Sequence, residues 1–169
     1  MTRLRAVLGS LLFLVVAPGT VTILIPWLIT GWDAADTPAW WWPLRVLGWV
    51  LIVAAAPVLL AAFARFALNG LGTPAPVAPT RHLVVQGLYR HVRNPMYVAV
   101  ITILAGECLI LARLELVLYT VLASAAMVLF VRGYEEPVLE RTYGDDYRAY
   151  REAVPGWVPS LRPSTSHLR

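Results

Sequence analysis

The chain has 169 residues, 59% of them hydrophobic and only 14% charged, with a net charge of +4 and a mean hydropathy of +0.66. Soluble domains sit nearer half apolar and a quarter charged, so the composition excludes an ordinary soluble domain and points to a membrane protein of one domain. Every basic residue is an arginine, and the arginines flank apolar segments instead of forming a polar face, which argues for membrane orientation and against nucleic acid.

Arg3 and Arg5 precede an apolar stretch from about Val7 to Ile29, long enough to span a hydrocarbon core of about 30 Å. Pro18-Gly19 interrupts it. A signal peptide cleaved nearby is the competing reading, but the apolar run continues to Trp27 and Ile29, which favours an uncleaved first helix. Residues 30–43 form a polar turn with Asp33, Asp36 and Trp40-Trp41-Trp42. Consecutive tryptophans read as an interfacial belt, each ring half in lipid with its N–H toward water; an aromatic ligand box is the alternative. A second apolar run covers about Leu44 to Leu68, with Arg65 near its end and able to snorkel. Glycine and proline then dominate residues 69–80, a loop that leads into Arg81-His82-Leu83-Val84-Val85-Gln86.

The stretch from Gly87 to Tyr97 places two arginines, a histidine, two tyrosines and an asparagine directly before the next apolar run. Asn94 suits an N-cap and Pro95 the first helical position, so a helix starts here, with N–H groups that favour a carboxylate or phosphate. This third segment runs from about Pro95 to Ala112 and contains Gly106-Glu107-Cys108. Arg113-Leu114-Glu115 makes a short polar tip, and the fourth segment covers about Leu116 to Val131. So short a connection implies an antiparallel helical hairpin. After Arg132, Glu135-Glu136-Pro137 opens an amphipathic stretch in which Leu139, Tyr143, Tyr147 and Tyr150 recur at helical spacing. Gly144 weakens or splits that helix. Val154-Pro155-Gly156-Trp157-Val158-Pro159 ends it, and the tail to Arg169 reads as disordered.

The arginines are asymmetric. Arg3, Arg5, Arg81, Arg90, Arg93, Arg132, Arg141, Arg148 and Arg151 fall on one side of this topology, and only Arg45 and Arg113 on the other. The positive-inside tendency then gives an all-α integral membrane fold of four spanning helices, about 7–29, 44–68, 95–112 and 116–131. Both termini and the central loop are cytoplasmic, and a C-terminal amphipathic helix follows in the cytosol. Cys108 stands alone, which rules out an intrachain disulfide framework and a cysteine-cluster metal site. His82, His91 and His167 do not make a zinc spacing, and no metal is expected.

On this topology Arg90 and Arg93 share a membrane boundary with Glu135 and Glu136. Opposite charges together suit a zwitterionic ligand, one end paired to guanidinium and the other to carboxylate. Tyrosines and the apolar Leu83-Val84-Val85 segment would sandwich a flat ring, and tyrosine faces tolerate a cation such as a sulfonium. The alternative is an ion-pair network that ties the C-terminal helix to the loop and binds nothing. His82 and His91 are candidate ligand contacts, against the reading of a solvated interfacial histidine. Glu107 falls about twelve residues into the third helix. As an intramembrane carboxylate it is a candidate for a proton or substrate role, against a hydrogen bond or ion pair inside the bundle.

The pattern Gly87-x-Tyr89-Arg90-x-x-Arg93-Asn94-Pro95-Met96-Tyr97, followed some forty residues on by Glu135-Glu136, resembles the isoprenylcysteine carboxyl methyltransferase family in its bacterial members. Tyr143-Gly144-x-x-Tyr147-x-x-Tyr150 and Val154-Pro155-x-Trp157-x-Pro159 match that family's tail as well. The same core is shared more loosely with phospholipid N-methyltransferases, and the resemblance covers roughly residues 81–161. It implies an enzyme of the bacterial inner or plasma membrane that uses S-adenosylmethionine as methyl donor and takes a lipophilic acceptor laterally from the bilayer. Carried over, it implies that Tyr89, Arg93, Asn94, Pro95 and Tyr97 shape the cofactor pocket. Glu135 and Glu136 would hold the amino group or ribose hydroxyls, and Leu83, Val84, Val85 and Gly87 would line the adenine slot. Asn94 stands where many members have histidine. Ala99 stands where members often carry a glycine, a change expected to narrow the pocket.

Methyl transfer from a sulfonium is a direct displacement, so the protein's tasks are alignment and exclusion of water. An amine or hydroxyl acceptor needs its proton removed, whereas a carboxylate or thiolate does not. Glu107 is the intramembrane carboxylate expected to orient the acceptor or take a proton, with Arg93 as the second catalytic candidate. Two rival readings are a membrane reductase related to sterol reductases, using NADPH, and a noncatalytic membrane subunit.

Overall fold

The computed structural model describes residues 3–68 and 85–161. Within them the chain is built of helices and connecting turns, with no strand among the described residues. Helix α1 (Arg3–Gly19), a π turn (Thr20–Leu24) and α2 (Ile25–Thr30) follow one another as one rod. Pro18 does not break it, because Gly19 keeps helical angles (φ −63°, ψ −38°). The wide turn comes just before Pro26, which has no N–H to give back to the preceding turn. The Val21 carbonyl takes a donor from outside the rod instead, the Tyr119 hydroxyl at 2.9 Å. Gly31, at φ +60°, ends the rod in a left-handed conformation.

A short 3₁₀ turn (Ala39–Trp41) leads into α3 (Trp42–Leu68). A second 3₁₀ turn (Gly87–Arg90) precedes α4 (Pro95–Leu111). Ala112, at φ +53°, turns the chain into α5 (Leu114–Phe130), the antiparallel neighbour that the short tip predicts. The fourth segment does not stop at Val131. It passes through a π turn (Val131–Glu135) directly into α6 (Glu136–Tyr143), so Glu135 and Glu136 ride on the end of the long helix and no loop intervenes. The break falls at Gly144 (φ +55°, ψ −124°), where the sequence leads one to expect a weakened or split helix, in a backbone conformation that side chains rarely tolerate. The amphipathic stretch is therefore two helices, α6 and α7 (Asp145–Ala153).

Three helical stretches, Leu11–Thr30, Ala39–Ala64 and Leu114–Tyr143, are long and apolar enough to cross a membrane, and Pro95–Leu111 is a shorter apolar helix. Their outer faces carry leucine and valine in the open, for example Leu12, Val53 and Leu129. That suits lipid as solvent and is costly in water. The core lies between α3 and α4, where Ala55, Leu59 and Phe63 meet Ala99, Val100, Ile103 and Leu104. Toward the far end the two backbones nearly touch. A Cβ on Gly48 would come within 2.6 Å of the Gly106 carbonyl, and one on Gly106 within 2.7 Å of the Gly48 carbonyl. Glycine at both positions is what permits this approach, the usual device where apolar helices associate without a hydrophobic drive between them.

The loop after α2 seals the far end of α4. Ala35 N–H donates to Leu111 O at 2.8 Å, and Trp41 Nε1 donates to Leu109 O at 3.0 Å. Trp41 thus satisfies a carbonyl left over at a helix end, where the belt reading expects its N–H in water. Trp40 and Trp42 are exposed, as an interfacial belt requires.

Candidate functional site

The α4 start is built by two chain segments, not one. Asn94 occupies the N-cap position and Pro95 follows as the first helical residue, but the Asn94 side chain makes no capping bond. Its Nδ2 instead donates to Gly156 O at 3.1 Å, and its backbone N–H donates to the same carbonyl at 3.3 Å. Arg93 N–H donates to Pro155 O at 2.9 Å. Four residues further along, Ser160 N–H donates to His91 O at 2.9 Å, and the His91 Nδ1 lies 2.8 Å from Ser160 O. Residues 155–160 are therefore a strap laid across residues 91–94, where the sequence shows only a segment that ends the amphipathic stretch. A run with two prolines and a glycine cannot bond within itself, so its polar backbone pairs with the loop.

Under the strap the side chains of α4 and of the α5–α6 rod meet. Arg93 Nη1 lies 3.1 Å from Glu136 Oε1, with both side chains largely buried (14% and 13% exposed). The Tyr97 hydroxyl donates to Glu135 Oε2 at 2.9 Å. Arg151, from α7, approaches Glu136 Oε2 at 3.9 Å and Glu140 at 4.0 Å. The two adjacent carboxylates are thus unequally compensated: Glu136 faces two guanidiniums, whereas among the described residues no cation pairs with Glu135. On the other side of the balance, Arg93 Nε is buried with no hydrogen-bond partner. A Cβ on Gly156 would stand 3.0 Å from Arg93 Nη2, so a side chain there would press on this guanidinium.

Aromatic walls complete the arrangement. Tyr97 and Trp157 have ring centroids 6.3 Å apart, as do Tyr147 and Tyr150. Tyr147, Tyr150 and Val154 form a small core against which Val85, Leu139 and Tyr143 pack. The Tyr150 hydroxyl donates to Tyr89 O at 2.8 Å, tying α7 to the 3₁₀ turn. Burial pushes the Tyr147 and Tyr150 phenols above their ordinary range, with the Glu136 charge adding to the effect at Tyr147. Both therefore remain neutral. Gly87 opens the 3₁₀ turn at φ +59°, which accounts for glycine there.

Of the residues singled out in the sequence, Val85, Gly87, Tyr89, His91, Arg93, Asn94, Pro95, Tyr97, Glu135 and Glu136 come together at this one end of the bundle. Leu83 and Val84 lie outside the described residues. Glu107 does not join them: ten residues past Tyr97, it stands about 15 Å farther along α4 at a rise of about 1.5 Å per residue. Ala99 does not narrow this space either, since it is buried in the core between α4 and α3. Sequence reading missed the parts played by Pro155, Gly156 and Ser160. All three act through backbone groups, which leave no mark on residue type, and the visible signal is the Val-Pro-x-Trp-x-Pro pattern itself.

Among the described residues the arrangement offers a buried guanidinium nitrogen without a partner, a carboxylate without a cation and tyrosines beside each. Chemically, such a set is complementary to a group that carries both a carboxylate and an ammonium. Comparison with known proteins gives a match to the family model described as Phospholipid methyltransferase, over residues 43–146, which is more than half of the chain. The matched region includes α3 and so reaches farther toward the N-terminus than the motif resemblance, and it lends nothing to the reductase reading. No curated protein matches the chain.

Proposed function

The chain belongs to the phospholipid methyltransferase family, and from that premise we propose that it transfers a methyl group from S-adenosylmethionine to a lipophilic acceptor at the cytosolic boundary of a membrane. The observation that carries this reading is that Arg93, whose buried Nε has no partner among the described residues, and Glu135, which no cation among them pairs, stand at the same end of the bundle. These donors and acceptors fit the methionine end of the cofactor: the carboxylate on Arg93, the ammonium on Glu135, and Glu136 available to the amine or a ribose hydroxyl. Val85 and Gly87, with Leu83 and Val84 ahead of them, are proposed to line the adenine slot. Tyr89, His91, Asn94 and Pro95 shape the loop and the helix start beside it.

When bound, the cofactor supplies an electrophilic methyl group on a sulfonium, to be displaced in line by the acceptor. The chain's own residues position and shield. Arg93 and Glu135 fix the two charged ends of the donor, and Tyr97, held by Glu135, presents its ring beside Trp157. Aromatic faces tolerate a sulfonium. The strap and α7 keep water from the cluster, which strengthens every charged contact inside it. In this reading α1–α2, α3, α4 and α5 are the four spans and both termini are cytoplasmic. A prenylated cysteine carboxylate, a lipid amine and a thiol are the acceptor classes such a site serves.

Isothermal calorimetry of the detergent-purified protein with S-adenosylmethionine tests this reading. We expect micromolar-range binding that is lost in Glu135→Ala/Glu136→Ala and in Arg93→Ala. Correctly folded protein that does not bind would sink the reading and leave the cluster as a structural ion-pair network.

A further inference from the structure

Asparagine is among the residue types that best cap a helix, its side-chain oxygen accepting from a first-turn N–H. Asn94 stands in the cap position of α4 and makes no such bond. Its backbone, at φ −115° and ψ +55°, is away from the extended angles from which a capping side chain usually reaches. The side chain turns to the strap instead. Its Nδ2 donates to Gly156 O at 3.1 Å, beside the backbone N–H of the same residue at 3.3 Å. One residue thus serves both lone pairs of a single strap carbonyl.

Gly156 lies directly on the charged cluster. A Cβ there would meet Arg93 Nη2 at 3.0 Å, and both Arg93 Cζ and Asn94 Nδ2 at 3.7 Å. The next residue, Trp157, sets its ring 6.3 Å from that of Tyr97, whose hydroxyl donates to Glu135. The strap is anchored on either side of this point: Val154 is buried in the small tyrosine core, and Ser160 exchanges bonds with His91. Between those anchors Pro155, Val158 and Pro159 face out. The middle is held down by Arg93 N–H, by Asn94 and by the Trp157 ring. The backbone bonds in this set are open to any residue type, but the Nδ2 donor is not. It pins Gly156 and Trp157 over the two residues, Arg93 and Glu135, that the methyl-transfer reading assigns to the charged ends of the donor.

On that reading, on which this inference rests, we propose that Asn94 is a positioning residue: its Nδ2 holds Gly156 O, keeps the strap closed over Arg93 and against Tyr97, and so slows release of bound S-adenosylmethionine. Asn94 acts through Gly156 and Trp157 and not on the cofactor itself. Removing the donor leaves the backbone bonds, so the strap remains in place but opens more often.

Three variants of the full chain in detergent separate donation from capping. Serine caps a helix well, but its hydroxyl stops short of the Nδ2 position. Histidine is not among the preferred caps, yet its Nδ1 stands as far beyond Cβ as the asparagine Nδ2 and can donate. Alanine does neither. Backbone amide exchange in the cofactor-free protein, read by mass spectrometry on the peptides holding Arg93 and Ser160, reports opening of the strap. Calorimetry and a chase with unlabelled S-adenosylmethionine give affinity and release rate. Asn94→Ser and Asn94→Ala are expected to exchange faster in both peptides, with melting temperatures close to the parent's. They are expected to bind roughly 2- to 10-fold more weakly, the worth of one hydrogen bond, through faster release. Asn94→His is expected to restore both properties. Asn94→Ser that matches the parent in exchange and affinity would overturn the proposal, and so would faster exchange with unchanged release. Asn94→His as weak as Asn94→Ala overturns it too, since donation would then not be what matters. Parent protein that binds no S-adenosylmethionine would sink the methyl-transfer reading and this proposal together, whereas each of the other results overturns the proposal alone.

Discussion

The Arg93–Glu136 pair separates a binding site from a structural tie. The charged atoms lie 3.1 Å apart, with 14% and 13% of the two side chains exposed, so the pair sits between the surface and buried limits. A surface pair is worth about 0–1 kcal/mol, and breaking a fully buried one costs about 3–5 kcal/mol. Arg93→Gln and Glu136→Gln are each expected to cost about 2 kcal/mol of stability, the average of those limits. The double variant is expected to cost less than the sum, because neither charge is then left alone. If Arg93 also receives a ligand carboxylate, Arg93→Gln removes one charge-assisted bond worth about 1.5–3 kcal/mol. That is a loss of roughly 10- to 150-fold in S-adenosylmethionine affinity at about 1.4 kcal/mol per decade. Calorimetric titration at a temperature where all variants stay folded reads affinity apart from stability. If Arg93→Gln lowers the melting temperature yet leaves affinity unchanged, the pair only fastens α4 to α6 and the argument fails.

Other consequences are open to measurement. Gly156→Ala sets a methyl group 3.0 Å from Arg93 Nη2, so cofactor affinity is expected to fall several-fold while the melting temperature moves little. Gly48→Ala drives a Cβ to 2.6 Å from the Gly106 carbonyl; forcing α3 and α4 apart is expected to cost about 1–3 kcal/mol, seen as a lower melting temperature in detergent. Tyr150→Phe leaves the buried Tyr89 carbonyl without its 2.8 Å donor and is expected to cost about 1–2 kcal/mol by the same assay. The phenols of Tyr147 and Tyr150 are raised by burial, so their contribution to stability is fully present below about pH 10, the free value, and is lost as pH rises past it. A melting profile between pH 7 and 11 should be flat in this contribution until the alkaline end and less steep there in Tyr147→Phe.

Much of the molecule is legible in its residues. Apolar runs with arginine ends give the helices because only a helix satisfies its own backbone in lipid, and the three-residue tip at Arg113 gives the hairpin. The motif from Gly87 to Tyr97 and the Glu135-Glu136 pair announce a charged boundary because such residues are expensive there unless paired. Tertiary structure decided what these residues touch. Residue type cannot show that Asn94 turns away from its helix to the Gly156 carbonyl, or that Trp41 caps α4, because the partners are backbone atoms distant in sequence. Nor can it show that the long helix crosses Val131 unbroken, since a π turn needs no special residue. The sequence by itself determined which charges gather at one end of the apolar segments. The fold alone decided that Glu136 would be paired twice, that Glu135 would meet no cation among the described residues, and that Glu107 would stand apart, since those follow from the rotation of packed helices about their axes.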